Sequence, residues 1–179
     1  MKTIGQPFPA FRLEGVVSNE LADGFPSFQN PSADGQWGVF VFYPKDFTFV
    51  CPTELAGFGK LNGEFADRDA KLFAVSTDSA FVHRAWRESH EDLRELPYPM
   101  LSDQRRELAE ELGVLDPDEL VCTRATFVVD PQGIIRYAAV NDGSVGRSPE
   151  EVLRVLDALQ TGELCPCNWQ RGESTLEVA

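Results

Sequence analysis

Phe42-Tyr43-Pro44-Lys45-Asp46-Phe47-Thr48-Phe49-Val50-Cys51-Pro52-Thr53-Glu54 is the stretch that decides the reading of this chain. An apolar strand from Trp37 through Tyr43 runs into a loop marked by Pro44. Cys51 then stands directly before Pro52, and proline favours the first position of a helix, where a missing N–H costs nothing. Thr53, Glu54 and Leu55 continue as a first turn, and the helix reads on to about Ala66. The cysteine is thereby placed at a strand-to-helix corner, at the positive end of a helix dipole, which favours thiolate over thiol.

Outward from this corner, strand and helix periods alternate. Lys71–Ser76 reads as a second strand, and Ser79 to His90 as a helix carrying Phe81, Ala85 and Trp86 among charges. Pro97-Tyr98-Pro99 opens a short extended piece that ends at Ser102. Arg105 to Leu112 reads as a helix stopped by Gly113. Thr126–Val129 and Ile134–Val140 flank Asp130-Pro131-Gln132-Gly133, a hairpin turn signal. Ser148 caps a last helix from Pro149 to about Leu159, with Glu150 and Glu151 at its positive end. Such alternation predicts an α/β layered domain, although it leaves the strand order open. After Thr161 the periodicity stops, and the remainder reads as a peripheral tail.

The bulk properties narrow the function classes. A chain of 179 residues with 42% hydrophobic side chains suits a single globular domain. Its 16 Lys and Arg against 29 Asp and Glu give a net charge of −13, which argues against nucleic acid and anionic membrane surfaces as partners. Met1 to Pro7 contains no long apolar run, so neither a secretory signal nor a membrane span is expected. Four cysteines in such a setting point to redox or catalytic use in the cytoplasm.

Pro44, Thr48 and Cys51 fit the Pro-x-x-x-Thr-x-x-Cys signature of peroxiredoxins. Asp46 to Glu54, Arg124-Ala125-Thr126-Phe127-Val128-Val129-Asp130-Pro131-Gln132-Gly133, Gly146-Arg147 and Glu163-Leu164-Cys165-Pro166-Cys167-Asn168-Trp169 resemble the typical two-cysteine class. Order and spacing agree over nearly the whole chain. The likeness is to the branch containing the C subunits of alkyl hydroperoxide reductase, in the actinobacterial style with Cys-x-Cys near the C-terminus. The resemblance implies a thioredoxin-like fold: a central mixed sheet flanked by helices, with an N-terminal extension. It divides the chain into a domain over 1–161 and a C-terminal tail over 162–179 that carries the resolving cysteine.

The implied activity is thiol-dependent reduction of hydrogen peroxide and organic hydroperoxides through a Cys51 sulfenic acid. A lowered thiol pKa does not suffice for this. Moving a thiol from about 8.5 to about 6 raises the thiolate fraction at neutral pH on the order of 30-fold. Nucleophilicity falls with pKa at a slope of about 0.4–0.5, which cancels most of that gain. The site must therefore stabilise charge on the departing oxygen. By the resemblance, Arg124 and Thr48 hold the peroxide, Pro44 shields the sulfur, and Glu54 and Arg147 orient Arg124. Taken alone, Thr48 reads rather as a turn residue and Arg124 as a solvated strand-edge charge, while Glu54 and Arg147 read equally as an ordinary helix acid and a surface cation. Trp86 matches a position beside the site, and reads as well as plain helix packing.

The sulfenic acid is expected to condense with Cys165 to a disulfide. In the class resembled, that thiol comes from the partner in a homodimer, which commonly assembles into a decamer-type ring. Electrons then return through an external dithiol reductant: alkyl hydroperoxidase D-like, thioredoxin-like, or the alkyl hydroperoxide reductase flavoprotein. Cys167 departs from the commoner pattern and reads either as a relay thiol or as a spare one. Cys122 reads as a packed bystander. The Gly-Gly-Leu-Gly of oxidation-sensitive relatives is missing from Gly113 to Leu120, and so is their Tyr-Phe tail helix, so a readily opening tail that resists overoxidation is expected.

No metal, haem or flavin cofactor is implied. A structural zinc site needs four ligands at recognisable spacing, and Cys165 and Cys167 supply two. A thioredoxin-type dithiol site needs Cys-x-x-Cys, where this chain has Cys51-Pro52-Thr53-Glu54. A cysteine hydrolase needs a histidine base. His83 and His90 both fall in a charged helix and read as solvated. The competing class is a non-catalytic chaperone or redox-signalling role of a homo-oligomer.

Overall fold

The computed structural model describes residues 1–20, 24–30 and 34–177. In chain order its strands are β1 (Leu13–Val16), β2 (Ser27–Phe28), β3 (Trp37–Phe42), β4 (Ala70–Ser76), β5 (Met100–Ser102), β6 (Arg124–Val129) and β7 (Ile135–Asn141). The helices are α1 (Cys51–Lys60), α2 (Asn62–Ala66), α3 (Ala80–Ser89), α4 (Glu107–Leu112) and α5 (Pro149–Thr161). The strands form one mixed sheet in the order β2-β1-β5-β4-β3-β6-β7. β3, β4 and β5 run parallel, while β6 runs antiparallel to β3 and β7 antiparallel to β6. This is the expected thioredoxin-like α/β architecture.

The strand period of two sorts the core. Val39, Val41 and, just past the strand, Tyr43 face Leu55 and Phe58 of α1 and Val152 and Leu156 of α5. Phe40 and Phe42 face the other way, toward Leu108 and Leu112 of α4 and toward Phe8 of the N-terminal extension. Phe40 lies stacked between Phe8 (centroids 4.3 Å apart) and Phe73 (5.2 Å).

Several element boundaries differ from the sequence expectation for identifiable reasons. The helix expected from Pro52 to Ala66 is two helices, broken at Leu61, whose ψ of 5° lies outside the helical range. α4 begins at Glu107 rather than Arg105, because Arg106 adopts φ +63°. The buried Asp103 carboxylate then accepts from the amides of Leu108 (3.3 Å) and Ala109 (2.8 Å) and satisfies the helix start. α5 follows expectation, with Ser148 Oγ accepting from the Glu151 amide at 3.2 Å.

The expectation that His83 and His90 are solvated fails for His83, on the inner face of α3. His83 is wholly buried, and Arg84 and Arg87 are nearly so. Arg87 survives burial because its guanidinium donates to the carbonyls of Leu96 (2.9 Å), Val17 (3.2 Å) and Tyr98 (3.4 Å). His83 stands three residues after Ala80 and three before Trp86, so the helical period puts all three on the buried face. Among the described residues no helix is long and apolar enough to cross a membrane.

The stacked position of Phe40 makes it the most exacting test of this core. Phe40→Ala is expected to lower unfolding free energy by about 3–5 kcal/mol, read by urea denaturation of the reduced protein. A loss below about 1 kcal/mol would mean that the stack contributes little.

Candidate active site

Sheet register brings the site together. β3 and β6 pair antiparallel with Val41 opposite Thr126. Two residues further along, that register sets Arg124 beside Tyr43, where the chain leaves β3 for the loop to α1. Cys51 opens α1 and is 0% exposed. Arg124 Nη1 lies 3.3 Å from Cys51 Sγ and 2.6 Å from Glu54 Oε2, and Arg124 Nε donates to the Gly143 carbonyl at 2.8 Å. The guanidinium is thus held on two sides with one N–H aimed at the sulfur.

Glu54 is the hub of the cluster. Its Oε1 accepts from the Arg147 amide (2.9 Å) and Arg147 Nε (2.8 Å), and its Oε2 accepts from Arg147 Nη2 (3.0 Å) as well as from Arg124. Arg147 Nη1 in turn donates to the carbonyls of Phe42 (2.8 Å) and Ala125 (2.9 Å), which fastens it to the ends of β3 and β6. Burial works against the Glu54 carboxylate, but the hydrogen bonds and charge of Arg147, with the charge of Arg124, outweigh it and hold the group below the usual carboxylate range.

The helix start offers few free donors. The amides of Thr53 and Glu54 both point back to the Val50 carbonyl (3.1 and 3.3 Å), and Pro52 has no N–H. The Cys51 amide alone in this turn has no protein partner among the described residues. Thr48 is half-buried in the loop, and its hydroxyl donates to the Lys45 carbonyl at 2.9 Å. That bond uses its proton and leaves oxygen lone pairs. Pro44 is half-buried at the mouth of the same loop. Trp86 lies beneath the loop, its ring centre 6.1 Å from those of both Tyr43 and Phe47.

Cys165 and Cys167 are not part of this cluster. Cys165 Sγ lies 3.4 Å from Thr161 Oγ1 and 3.7 Å from the Ala158 carbonyl, at the end of α5. Cys167 is exposed, and all four thiols are free. The tail is more ordered than its composition suggests. Trp169 is buried, and Arg154 of α5 donates to its carbonyl at 3.0 Å. Cys122 belongs to the opposite face of the sheet from Cys51, and burial pushes its thiol far up. Two features escaped sequence reading: the Gly143 carbonyl that steadies Arg124, and a buried Tyr43–Asp46–His83 group under the loop. Asp46 lay within the quoted stretch, and the helical spacing of His83 from Ala80 and Trp86 was its signal.

The depressed titration of Glu54 sets a pH window. A carboxyl held lower in the folded state than in the unfolded chain stabilises the fold above its unfolded pKa of about 4.3, and that contribution is lost as pH falls through the folded value. Wild type is therefore expected to exceed Glu54→Gln in urea midpoint at pH 6, with the gap narrowing as pH drops below about 4.3. A gap that stays constant down to pH 3 would mean that Glu54 is not held ionised by its two arginines.

Comparison with known proteins agrees with this geometry. The AhpC/TSA family model matches residues 4–138. Alkyl hydroperoxide reductase C of Mycolicibacterium smegmatis is 52% identical over 184 residues, covering 98% of this chain and 94% of that protein. The solved structure of Mycobacterium bovis AhpC superposes with TM-score 0.86 at 50% identity, over 95% of this chain and 99% of the other. That of the reduced 2-Cys peroxiredoxin of Plasmodium vivax gives 0.88 at 31% identity, over 98% and 93%. With its cysteine at a helix start, an arginine on the neighbouring strand and this likeness along the chain, the protein belongs to the AhpC/TSA family of peroxiredoxins.

Proposed function

We propose that the chain is a thiol-dependent peroxidase that reduces hydrogen peroxide and organic hydroperoxides at Cys51. The observation that carries this reading is the Arg124 N–H standing 3.3 Å from Sγ while Glu54 and Gly143 fix its guanidinium. In the reaction, the Cys51 thiolate attacks one oxygen of ROOH. An S–O bond forms, the O–O bond breaks, and RO⁻ leaves and takes up a proton as ROH. The attacked oxygen keeps its hydrogen, giving the sulfenic acid Cys51–SOH.

Negative charge moves from sulfur to the departing oxygen along this path. Arg124 and the Cys51 amide are donors placed for that charge, and a preorganised donor stabilises the transition state more than the neutral reactant. Thr48, its proton engaged by Lys45, accepts from the peroxide O–H and orients it. Pro44 closes the loop over the sulfur and limits water.

Resolution follows as Cys51–SOH + HS–Cys165 → disulfide + water. A sulfur with no exposed surface cannot meet another thiol where it stands, so the first turn of α1 must open. The tail over 162–179 must likewise release Cys165 from Thr161. Cys165 is the resolving thiol of a second copy, and Cys167 relays the disulfide to an external dithiol reductant of the alkyl hydroperoxidase D, thioredoxin or flavoprotein kind. Two features favour a homo-oligomer. Phe49 (94% exposed), Phe47 and Phe81 show large apolar surface, and β7 ends the sheet with an outer edge that, among the described residues, pairs at Ile135 with Gly5 and Gln6 and with no further strand. A ring of such dimers is the assembly this arrangement suits.

Stopped-flow oxidation by hydrogen peroxide tests the chemistry. Cys51→Ser is expected to abolish it, and Arg124→Ala to slow it by about 10²–10³-fold with the fold intact. An Arg124→Ala protein reacting at the wild-type rate would remove the guanidinium from the mechanism. Non-reducing electrophoresis and peptide mapping test resolution: the oxidised wild type is expected to give an intermolecular Cys51–Cys165 link that Cys165→Ser lacks. A wild type whose Cys51 links only within one chain would overturn the two-copy arrangement.

A further inference from the structure

Five residues before Cys51, the loop that carries Pro44 and Thr48 is fastened to the protein interior. Asp46 is the last buried residue ahead of Cys51, since Phe47 and Phe49 are exposed and Thr48 and Val50 half-buried. Asp46 Oδ2 lies 2.8 Å from His83 Nδ1, and Oδ1 accepts from the Tyr43 hydroxyl at 2.7 Å. His83 Nε2 faces the Leu101 carbonyl at 3.2 Å. A carbonyl only accepts, so Nε2 carries a proton. One further proton lies between Nδ1 and Oδ2, and with it the pair has no net charge. The Asp46 amide adds a bond to Asp78 Oδ2 at 3.0 Å. Beyond this point Phe47 takes φ +56°, a left-handed conformation that costs a non-glycine residue about 1–2 kcal/mol. The loop is therefore strained next to its last anchor.

We propose that the His83–Asp46 pair is the clasp that holds the Pro44–Val50 loop in its peroxide-reactive closed form, and that its strength sets how Cys51 divides between oxidation by peroxide and disulfide formation. His83 and Asp46 act as positioning residues, since neither touches sulfur or substrate. The inference rests on the peroxidase reading given above. The two fates of the sulfur make opposite demands. Attack on peroxide needs Thr48 and Arg124 in place around a buried sulfur. Disulfide formation needs that sulfur brought out of its 0% exposed position. A second peroxide acting on the closed site gives sulfinic acid, Cys51–SOH + ROOH → Cys51–SO₂H + ROH. Anything that loosens the clasp favours opening over closure.

The chemistry of the pair suits a clasp. Burial pushes the Asp46 carboxyl up even though His83 pulls it down, so without the imidazole this group would be stranded in the interior. Burial, with the charge and hydrogen bond of Asp46, raises the Tyr43 hydroxyl well above its ordinary range, which keeps it a donor to Asp46. The anchor reaches three elements at once: the end of β3 through Tyr43, α3 through His83 and β5 through Leu101. Opening the loop past Asp46 leaves that anchor intact. Opening the whole of it requires the clasp to part.

The test compares wild type, His83→Ala and Asp46→Asn as full-length reduced protein. Asp46→Asn preserves the hydrogen bonds around a neutral imidazole, its amide donating to Nδ1 and its oxygen accepting from Tyr43. For His83→Ala, the second-order rate with hydrogen peroxide should fall at least 10-fold while disulfide formation from the sulfenic acid is unslowed. The sulfinic fraction at a fixed peroxide dose, read by intact mass, should also fall. Hydrogen exchange should accelerate in peptides spanning 44–52 with the β3–β4–β6 core unchanged. Asp46→Asn should stay within about 3-fold of wild type in each rate. Should His83→Ala fail to fold, His83→Asn, which keeps a donor toward Asp46 but is too short for Leu101, is read the same way with at least a 3-fold fall. Wild-type peroxide reactivity in His83→Ala, or an equal slowing of both steps with exchange rising throughout, overturns the clasp. A wild type that does not react with peroxide at all overturns the peroxidase reading instead.

Discussion

One carboxylate organises this site. Glu54 sits between two guanidiniums that arrive from different parts of the chain, Arg124 from the start of β6 and Arg147 from the turn before α5. Two cations and one anion leave a single net positive charge in a buried cluster, one N–H of which ends at the cysteine sulfur. Such a cluster tolerates burial because both carboxylate oxygens and most of the N–H groups find partners. Arg147 meets that condition with bonds to Glu54 and to the backbone of β3 and β6, and Arg124 with Glu54, Gly143 and Cys51. Removing Glu54 would leave two guanidiniums side by side, with Arg124 tied to the backbone only at Gly143, so the direction of its N–H toward the sulfur depends on Glu54.

The same corner is built to be closed and yet to open. α1 lacks a side-chain cap at Val50, and its first turn is tied by backbone bonds to one carbonyl. Ahead of it the loop carries a left-handed Phe47 and an almost fully exposed Phe49. Elements of low local stability of this kind are where proteins open first. Against them stand the anchors at Tyr43, Asp46 and the Glu54 cluster. In the proposed cycle the balance between these two sets, rather than either alone, fixes how long the sulfenic acid stays in the closed site.

Much of this was legible before any coordinates. Cys51 before Pro52 marks the helix start because proline belongs there, and the strand–loop–helix corner follows from the apolar run ahead of it. The unbroken apolar run from Trp37 to Tyr43 marks β3 as a buried strand. What the sequence withheld depends on three-dimensional partners. Arg106 reads as a helical residue, yet Asp103 satisfies the start of α4 from outside and lets the helix begin later. His83, Arg84 and Arg87 read as a charged face, yet Asp46 and the Leu101 carbonyl partner His83, the Glu20 and Gly24 carbonyls partner Arg84, and the Leu96, Tyr98 and Val17 carbonyls partner Arg87. A charge pattern alone cannot distinguish a solvated face from one whose donors are matched by distant acceptors.

The overall charge constrains the chemistry further. The chain carries −13, so its overall field disfavours anions. A hydroperoxide is neutral and feels little of that field on approach. The positive cluster is buried, and its influence is confined to what happens against the sulfur. It therefore has nothing to bind in a neutral reactant and much to stabilise once charge shifts onto an oxygen in the proposed reaction. Interactions of that kind raise the rate of the chemical step without tight substrate binding. A surface patch of lysines would act the other way, collecting anions that are not substrates. Placing the cations inside an acidic protein, locked by one glutamate, confines them to the sulfur and to the charge that passes from it to oxygen as the oxygen–oxygen bond breaks in the proposed reaction.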